Sequence, residues 1–173
     1  MSYFSKLFQT GAIRKTPTSV IAAILAEVPA AKAACIVEFG AGQGEITYPL
    51  LEKVRTHGGS FYAFELDREL GGALQRNAGE VSVLYEDAFR FEAFIHGGPV
   101  DHFICALPLS FHPKAKIRGL LDSMRNRLAQ GGSIVIIFNA VWLLPLFSKA
   151  LPGGRLRVFP TFPVYLMYVY GGR

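Results

Sequence analysis

The chain has 173 residues, of which 51% are apolar and 18% charged. That composition excludes intrinsic disorder, and the length suffices for one well-packed domain spanning residues 1–173. The net charge of +5 favours an anionic partner, either nucleic acid or an anionic membrane surface.

In chain order, Tyr3, Phe4, Leu7 and Phe8 fall on one face of a short helix, with Ser5, Lys6 and Gln9 on the others. A basic amphipathic segment over residues 1–15 suits a membrane interface, and equally a helix that packs on the core or caps a pocket. Lys6, Arg14 and Lys15 occur without a long apolar core, so no signal peptide is expected. Thr16-Pro17 reads as a helix N-cap with proline at N1. Val20, Ile21, Ile24, Leu25 and Val28 then keep helical spacing up to Pro29. A first strand is expected over 35–39, then a helix from Ile46 to about Arg55, with His57-Gly58-Gly59 turning into a second strand over 60–67. A helix over 67–77 is weakened by Gly71-Gly72. Strands follow over 81–85 and 100–107.

Pro113 opens a basic helix to about Gln130, with Ile117, Leu120, Leu121, Met124 and Leu128 on one face and Gly131-Gly132 as its cap. Ser133 to Asn139 is a β-branched strand. The apolar run from Ile134 to Phe147 is interrupted by Asn139 and Pro145, and it falls short of the roughly 20 residues that span a bilayer. A terminal hairpin is expected from Arg155–Phe159 and Pro163–Tyr170, turning at Pro160-Thr161-Phe162. Alternating strands and helices imply a parallel sheet with right-handed crossovers. The expected fold is thus α/β, Rossmann-like and doubly wound, with a mostly parallel seven-stranded sheet closed by an antiparallel C-terminal β-hairpin. Cys35 and Cys105 fall in expected buried strands and read as core residues of a reducing compartment, not as a disulfide or metal site. No metal is expected. The expected location is cytoplasmic, peripheral on the inner membrane face.

The most informative stretch is Glu38-Phe39-Gly40-Ala41-Gly42-Gln43-Gly44, placed between the first strand and its helix. Glycines there tolerate positive φ and let a ligand approach the backbone. A dinucleotide fingerprint places its third glycine where this chain has Glu45. The observed spacing is acidic-x-Gly-x-Gly-x-Gly, and a carboxylate before the glycines suits a cationic ligand better than a pyrophosphate. An ordinary glycine turn, or a degenerate NAD site, is the competing reading. Glu65 ends the second strand, where an acid can accept both ribose hydroxyls. Glu86-Asp87-Ala88-Phe89 follows the third.

These three features, in this order, resemble the class I S-adenosylmethionine (SAM) methyltransferases. The resemblance implies SAM as cofactor, with S-adenosylhomocysteine as product. It implies that Glu38, Gly40, Ala41, Gly42 and Gly44 form the loop against the amino-acid part. It further implies Glu65 and Leu66 at the ribose, and Asp87, Ala88 and Ala106 around the adenine and the reacting centre. The acceptor is expected after the fourth strand, at Leu107, Pro108, Ser110 and His112, with His112 taking a proton. In adenine and glutamine N-methyltransferases this segment begins with Asn or Asp and ends with an aromatic. Here Ala106 and Leu109 stand at those places, which disfavours a planar adenine acceptor. The Phe-rich N-terminus, Gly11-Ala12-Ile13 and the Pro/Ser/Thr helix start resemble bacterial phospholipid N-methyltransferases, relatives of the ribosomal RNA adenine dimethyltransferases. That likeness implies methylation of a phosphatidylethanolamine head group at an anionic membrane surface. The alternative is an RNA adenine N6-methyltransferase with RNA as partner, and the second alternative is a non-catalytic SAM-binding subunit.

Overall fold

Short apolar runs that each end in a turn can pair only side by side, because the segment after each run carries the chain back along the sheet. The computed structural model describes residues 15–29 and 34–172. The strands are β1 (Ala34–Phe39), β2 (Gly59–Phe64), β3 (Ser82–Leu84), β4 (Val100–Cys105), β5 (Leu128–Phe138), β6 (Arg155–Phe159) and β7 (Tyr165–Gly171). The α-helices are α1 (Thr18–Glu27), α2 (Thr47–Val54), α3 (Arg68–Asn77), α4 (Lys114–Arg127) and α5 (Leu144–Ala150). The amphipathic face expected at Tyr3 to Phe8 lies outside the described residues.

The sheet order is β3-β2-β1-β4-β5-β7-β6. Strands β1 to β5 pair in parallel, and β7 runs antiparallel to both β5 and β6. This is the doubly wound, mostly parallel seven-stranded sheet with a closing hairpin that the sequence pattern implies. One core cluster includes Ile117 and Leu120 of α4 and Phe147 of α5. The other includes Ile24 of α1, Leu50 of α2 and Leu74 of α3. Both faces of the sheet are therefore covered, and β4 is almost wholly buried, as apolar parallel strands require. Phe39, Phe91 and Phe103 pack with ring centroids 5.3 to 5.9 Å apart at the centre. Among the described residues, no helix is long and apolar enough to cross a membrane.

Several boundaries differ from expectation for identifiable reasons. Helix α4 stops at Arg127, and Leu128 is already extended (φ −70°, ψ 131°). Leu128 pairs with Val100 and Ser133 with His102, so the intervening residues form a bulge against Asp101. Gly131-Gly132 serves that bulge and does not cap the helix. A Cβ on Gly132 would lie 2.4 Å from the carbonyl oxygen of Asp101. Pro17, not Thr16, occupies the N-cap of α1, and the Thr16 N–H donates to Glu45 Oε2 at 2.9 Å. Strand β2 ends at Phe64 because Asp67 caps α3, accepting from the N–H groups of Glu69 and Leu70. The run 134–147 divides at Asn139 into β5, a 3-10 turn (Val141–Leu143) and α5, which carries Pro145 in its first turn. Cys105 is buried as expected, whereas Cys35 is only half-buried, and both are free thiols.

Candidate active site

Strands β1 and β4 are neighbours, and the chain leaves them toward opposite faces of the sheet. A crevice opens at their carboxyl ends, where ligands of open α/β sheets bind. A cavity of about 430 Å³ occupies this place.

The glycine turn forms its floor. Gly40, Gly42 and Gly44 have φ of 80°, 55° and 91°, a region costly for residues with a Cβ. A Cβ on Gly40 would also lie 3.2 Å from the Ala106 carbonyl oxygen and 3.3 Å from Leu107 Cδ2. The ends of β1 and β4 thus approach most easily over a glycine, whose positive φ a side chain would also strain. The N–H groups of Gly40 and Ala41 donate to the Phe64 carbonyl at 2.9 and 3.2 Å. Gly42 N–H donates to Glu65 Oε2 at 2.8 Å, and Asp67 N–H donates to Glu65 Oε1 at 2.9 Å. Glu65 therefore ties the turn to the start of α3 while lining the cavity. Burial raises its carboxyl above the usual range, against the lowering effect of these backbone donors.

Glu38 is fully buried. Its Oε2 accepts the Thr47 hydroxyl at 2.6 Å, and Oε1 has no hydrogen-bond partner. Burial pushes its pKa up to about 7, the Thr47 bond opposes this, and nearby Glu65 adds to it. Glu38 does not line the cavity. Neither does Gly44, where a Cβ would lie 2.6 Å from the Tyr48 ring. These two expected ligand contacts instead support the turn from behind.

The remaining expected residues do line the cavity. Gly40, Ala41, Gly42, Glu65 and Leu66 form one part of the wall, and Asp87, Ala88 and Ala106 another. Leu107, Pro108, Ser110 and His112 line it as well. Asp87 Oδ1 accepts the Phe89 N–H at 3.0 Å, which starts a 3-10 segment (Ala88–Ala93). Asp87 Oδ2 pairs with Lys116 Nζ at 3.2 Å. Lys116 Nζ also lies 4.1 Å from the centroid of the Phe89 ring, and the His112 ring packs 4.6 Å from it. Burial first, and then Lys116, lowers the His112 pKa, while Asp87 opposes the shift. The shift favours the neutral ring.

Sequence reasoning missed Thr16, Lys116, Asn139, Ala140, Leu143 and Tyr165, which also line the cavity. Most of these reach it through the pairing of β5 with β7, a long-range contact with no local signal. Lys116 was visible only as one cation of a basic helix. Among the described residues, no group of three or more His, Cys, Asp and Glu side chains could hold a metal ion.

The strand order, the glycine turn and the closing hairpin define the Rossmann-like fold of SAM-dependent methyltransferases. The chain superposes on TrmN from Thermus thermophilus with a TM-score of 0.69 and 23% identity, covering 96% of this chain and 52% of that one. The magnesium protoporphyrin IX methyltransferase of Synechocystis, solved with bound SAM, gives a TM-score of 0.68 at 15% identity, covering 100% and 85%. A similar relative by sequence is the ribosomal RNA small subunit methyltransferase A of a Burkholderia species, 40% identical over 76 residues. That match spans 43% of this chain and 27% of the relative. The Burkholderia cenocepacia protein of the same name is 39% identical over 83 residues, spanning 47% of this chain and 30% of the relative. No protein-family model matches the chain.

Proposed function

We propose that the protein is a SAM-dependent methyltransferase acting on an amine nitrogen. The observation that carries this reading is the cavity at the β1–β4 switch point, lined together by the glycine turn, Glu65 and Asp87. The residues present fit the cofactor. A Cβ at Gly40 would crowd the Ala106 carbonyl at 3.2 Å, the turn lines the cavity through Gly40, Ala41 and Gly42, and a Glu38 oxygen without a hydrogen-bond partner is buried in the adjoining strand. SAM, when bound, supplies a methyl group already activated by a sulfonium charge. Gly40, Ala41 and Gly42 would hold its amino-acid part, Glu65 the ribose hydroxyls, and Asp87 the exocyclic amine of the base. Glu65, which lines the cavity, adds an acidic group suited to a cationic ligand. Methyl transfer then needs an aligned, unprotonated nitrogen and a dry cavity. His112, whose lowered pKa favours the neutral ring, would be the group to accept the proton of an incoming ammonium.

Taken alone, likeness in sequence favours an RNA amine over a phospholipid, because the similar curated proteins are ribosomal RNA methyltransferases. The acceptor end of the cavity supports the phospholipid head-group amine instead, and we adopt it. Ala106 and Leu109 offer no polar clamp or ring for a planar base, and the mouth carries exposed Phe111, Val141 and Trp142. The test is to incubate the protein with SAM labelled in its methyl group, together with phosphatidylethanolamine vesicles and total RNA. Label in the lipid amine is expected. Label confined to RNA would replace the lipid reading with the RNA reading, and label in neither would remove the enzymatic one.

A further inference from the structure

The segment 87–95 follows β3, and α4 holds it along its length. Lys116 Nζ pairs with Asp87 Oδ2 at 3.2 Å. Ser123 Oγ donates to Glu92 Oε2 at 2.8 Å, and Arg127 Nη2 donates to the Ile95 carbonyl at 3.2 Å. Positions 116, 123 and 127 follow the helical repeat, so these ties run down one side of α4. Phe91 and Ile95 anchor the same segment in the core. Lys116 and Asp87 line the cavity, whereas Ser123, Glu92, Arg127 and Ile95 do not.

The tie at the cavity differs from the others in what it can do. The Lys116 and Asp87 side chains are 42% and 38% exposed, and an ion pair that open to water adds little to folding. Its consequence is orientation. The Phe89 N–H donates to Asp87 Oδ1 at 3.0 Å, so each oxygen of the carboxylate has a donor. Each also keeps a further acceptor site. A carboxylate held at both oxygens resists turning away from a ligand, and it meets that ligand with acceptors only. Lys116 is steadied in turn, with Nζ 4.1 Å from the centroid of the Phe89 ring.

We infer that Lys116 is a positioning residue for the base of the cofactor. It fixes the Asp87 carboxylate so that the site takes a purine with an exocyclic amine and refuses one with a carbonyl in that place. The inference rests on the reading that Asp87 receives this amine, and it adds the residue that makes the contact selective. A carbonyl there would set one acceptor against another. Sites that hydrogen-bond a ligand N–H reject an analogue lacking it far more strongly than apolar pockets reject a change of size.

Calorimetry with S-adenosylhomocysteine and with S-inosylhomocysteine, its deaminated analogue, tests this without any turnover. The wild-type protein should prefer the amine by about 50-fold. Lys116→Met keeps an unbranched apolar stem over Phe89 and removes the charge. It should bind S-adenosylhomocysteine about tenfold more weakly and the inosine analogue almost unchanged, with the urea midpoint as in wild type. Lys116→Arg should return the preference to within about threefold of wild type, because it restores a charged donor. Ser123→Ala breaks a tie of the same segment away from the cavity and should leave the preference as it is.

A preference in Lys116→Met within about twofold of wild type would overturn the inference and leave Lys116 as a surface ion pair. A large fall in its urea midpoint would overturn it too, by making the pair a structural tie. So would a loss of preference that Lys116→Arg does not restore or that Ser123→Ala reproduces. Wild-type protein that binds both ligands equally would remove the Asp87 contact, and the role of Lys116 with it, while keeping the cofactor. No binding of S-adenosylhomocysteine at all would remove the cofactor reading itself.

Discussion

At the scale of single residues, two carboxylates sit in opposite environments. Glu65 has partners and faces the cavity, and Glu38 lacks a partner for one oxygen and faces the core. Glu65→Ala removes the acceptor for Gly42 and Asp67 and strands any ligand hydroxyl placed there. The expected cost is about 1–3 kcal/mol in S-adenosylhomocysteine binding, read by calorimetry. An unchanged affinity would place the ribose elsewhere.

Glu38 makes a prediction about pH. Burial pushes its folded pKa up to about 7, against about 4.5 for an exposed carboxyl. The unfolded chain therefore ionises this group first, and ionisation favours unfolding. The stability held by the protonated carboxyl is complete below about pH 4.5 and is lost as pH rises through 7, a change approaching ~3 kcal/mol. Glu38→Gln should flatten urea-unfolding stability between pH 5 and 7 and make the free protein more stable than wild type at pH 8. A variant less stable at pH 8 would contradict this. His112 gives a second pH dependence. Its pKa is lowered, so the acidic limb of the rate profile should lie below pH 6.5. His112→Gln should remove that limb and reduce kcat by about 10²-fold, within the usual range for proton-transfer groups, with cofactor affinity unchanged. A rate within twofold of wild type would leave His112 as a packing residue on Phe89.

At the scale of elements, the start of β5 shows why a local pattern can mislead. The apolar spacing that builds α4 includes Leu128, so the pattern runs one turn too far. Pairing of Leu128 with Val100 ends the helix sooner, because sheet hydrogen bonds and burial outweigh helix propensity there. Gly132 is fixed by that bulge, with the Asp101 backbone too close for any side chain. Gly132→Ala should destabilise the fold by about 1–3 kcal/mol, as overpacking does, measured as a lower urea midpoint. A neutral result would mean that the bulge relaxes freely. The cofactor half of the site was legible because its residues lie within a few positions of each strand end. Glu38 and Gly44 lie in the same motif but turn away from the cavity, and sequence spacing carries no sign of that. The mouth was legible only in part, since Val141, Trp142 and Phe162 meet through the β5–β7 pairing.

At the scale of the molecule, alternation of strands and helices was enough to give the sheet and its closing hairpin. The order β3-β2-β1-β4-β5-β7-β6 then creates the switch point that brings Gly40, Glu65, Asp87 and Ala106 to one crevice. The central claim is that this crevice takes SAM and not a dinucleotide. Calorimetric titration of the protein with S-adenosylhomocysteine, and separately with NADH, tests it most directly. One S-adenosylhomocysteine site per chain with no NADH binding is the expected result. Tight NADH binding without any S-adenosylhomocysteine heat would contradict it.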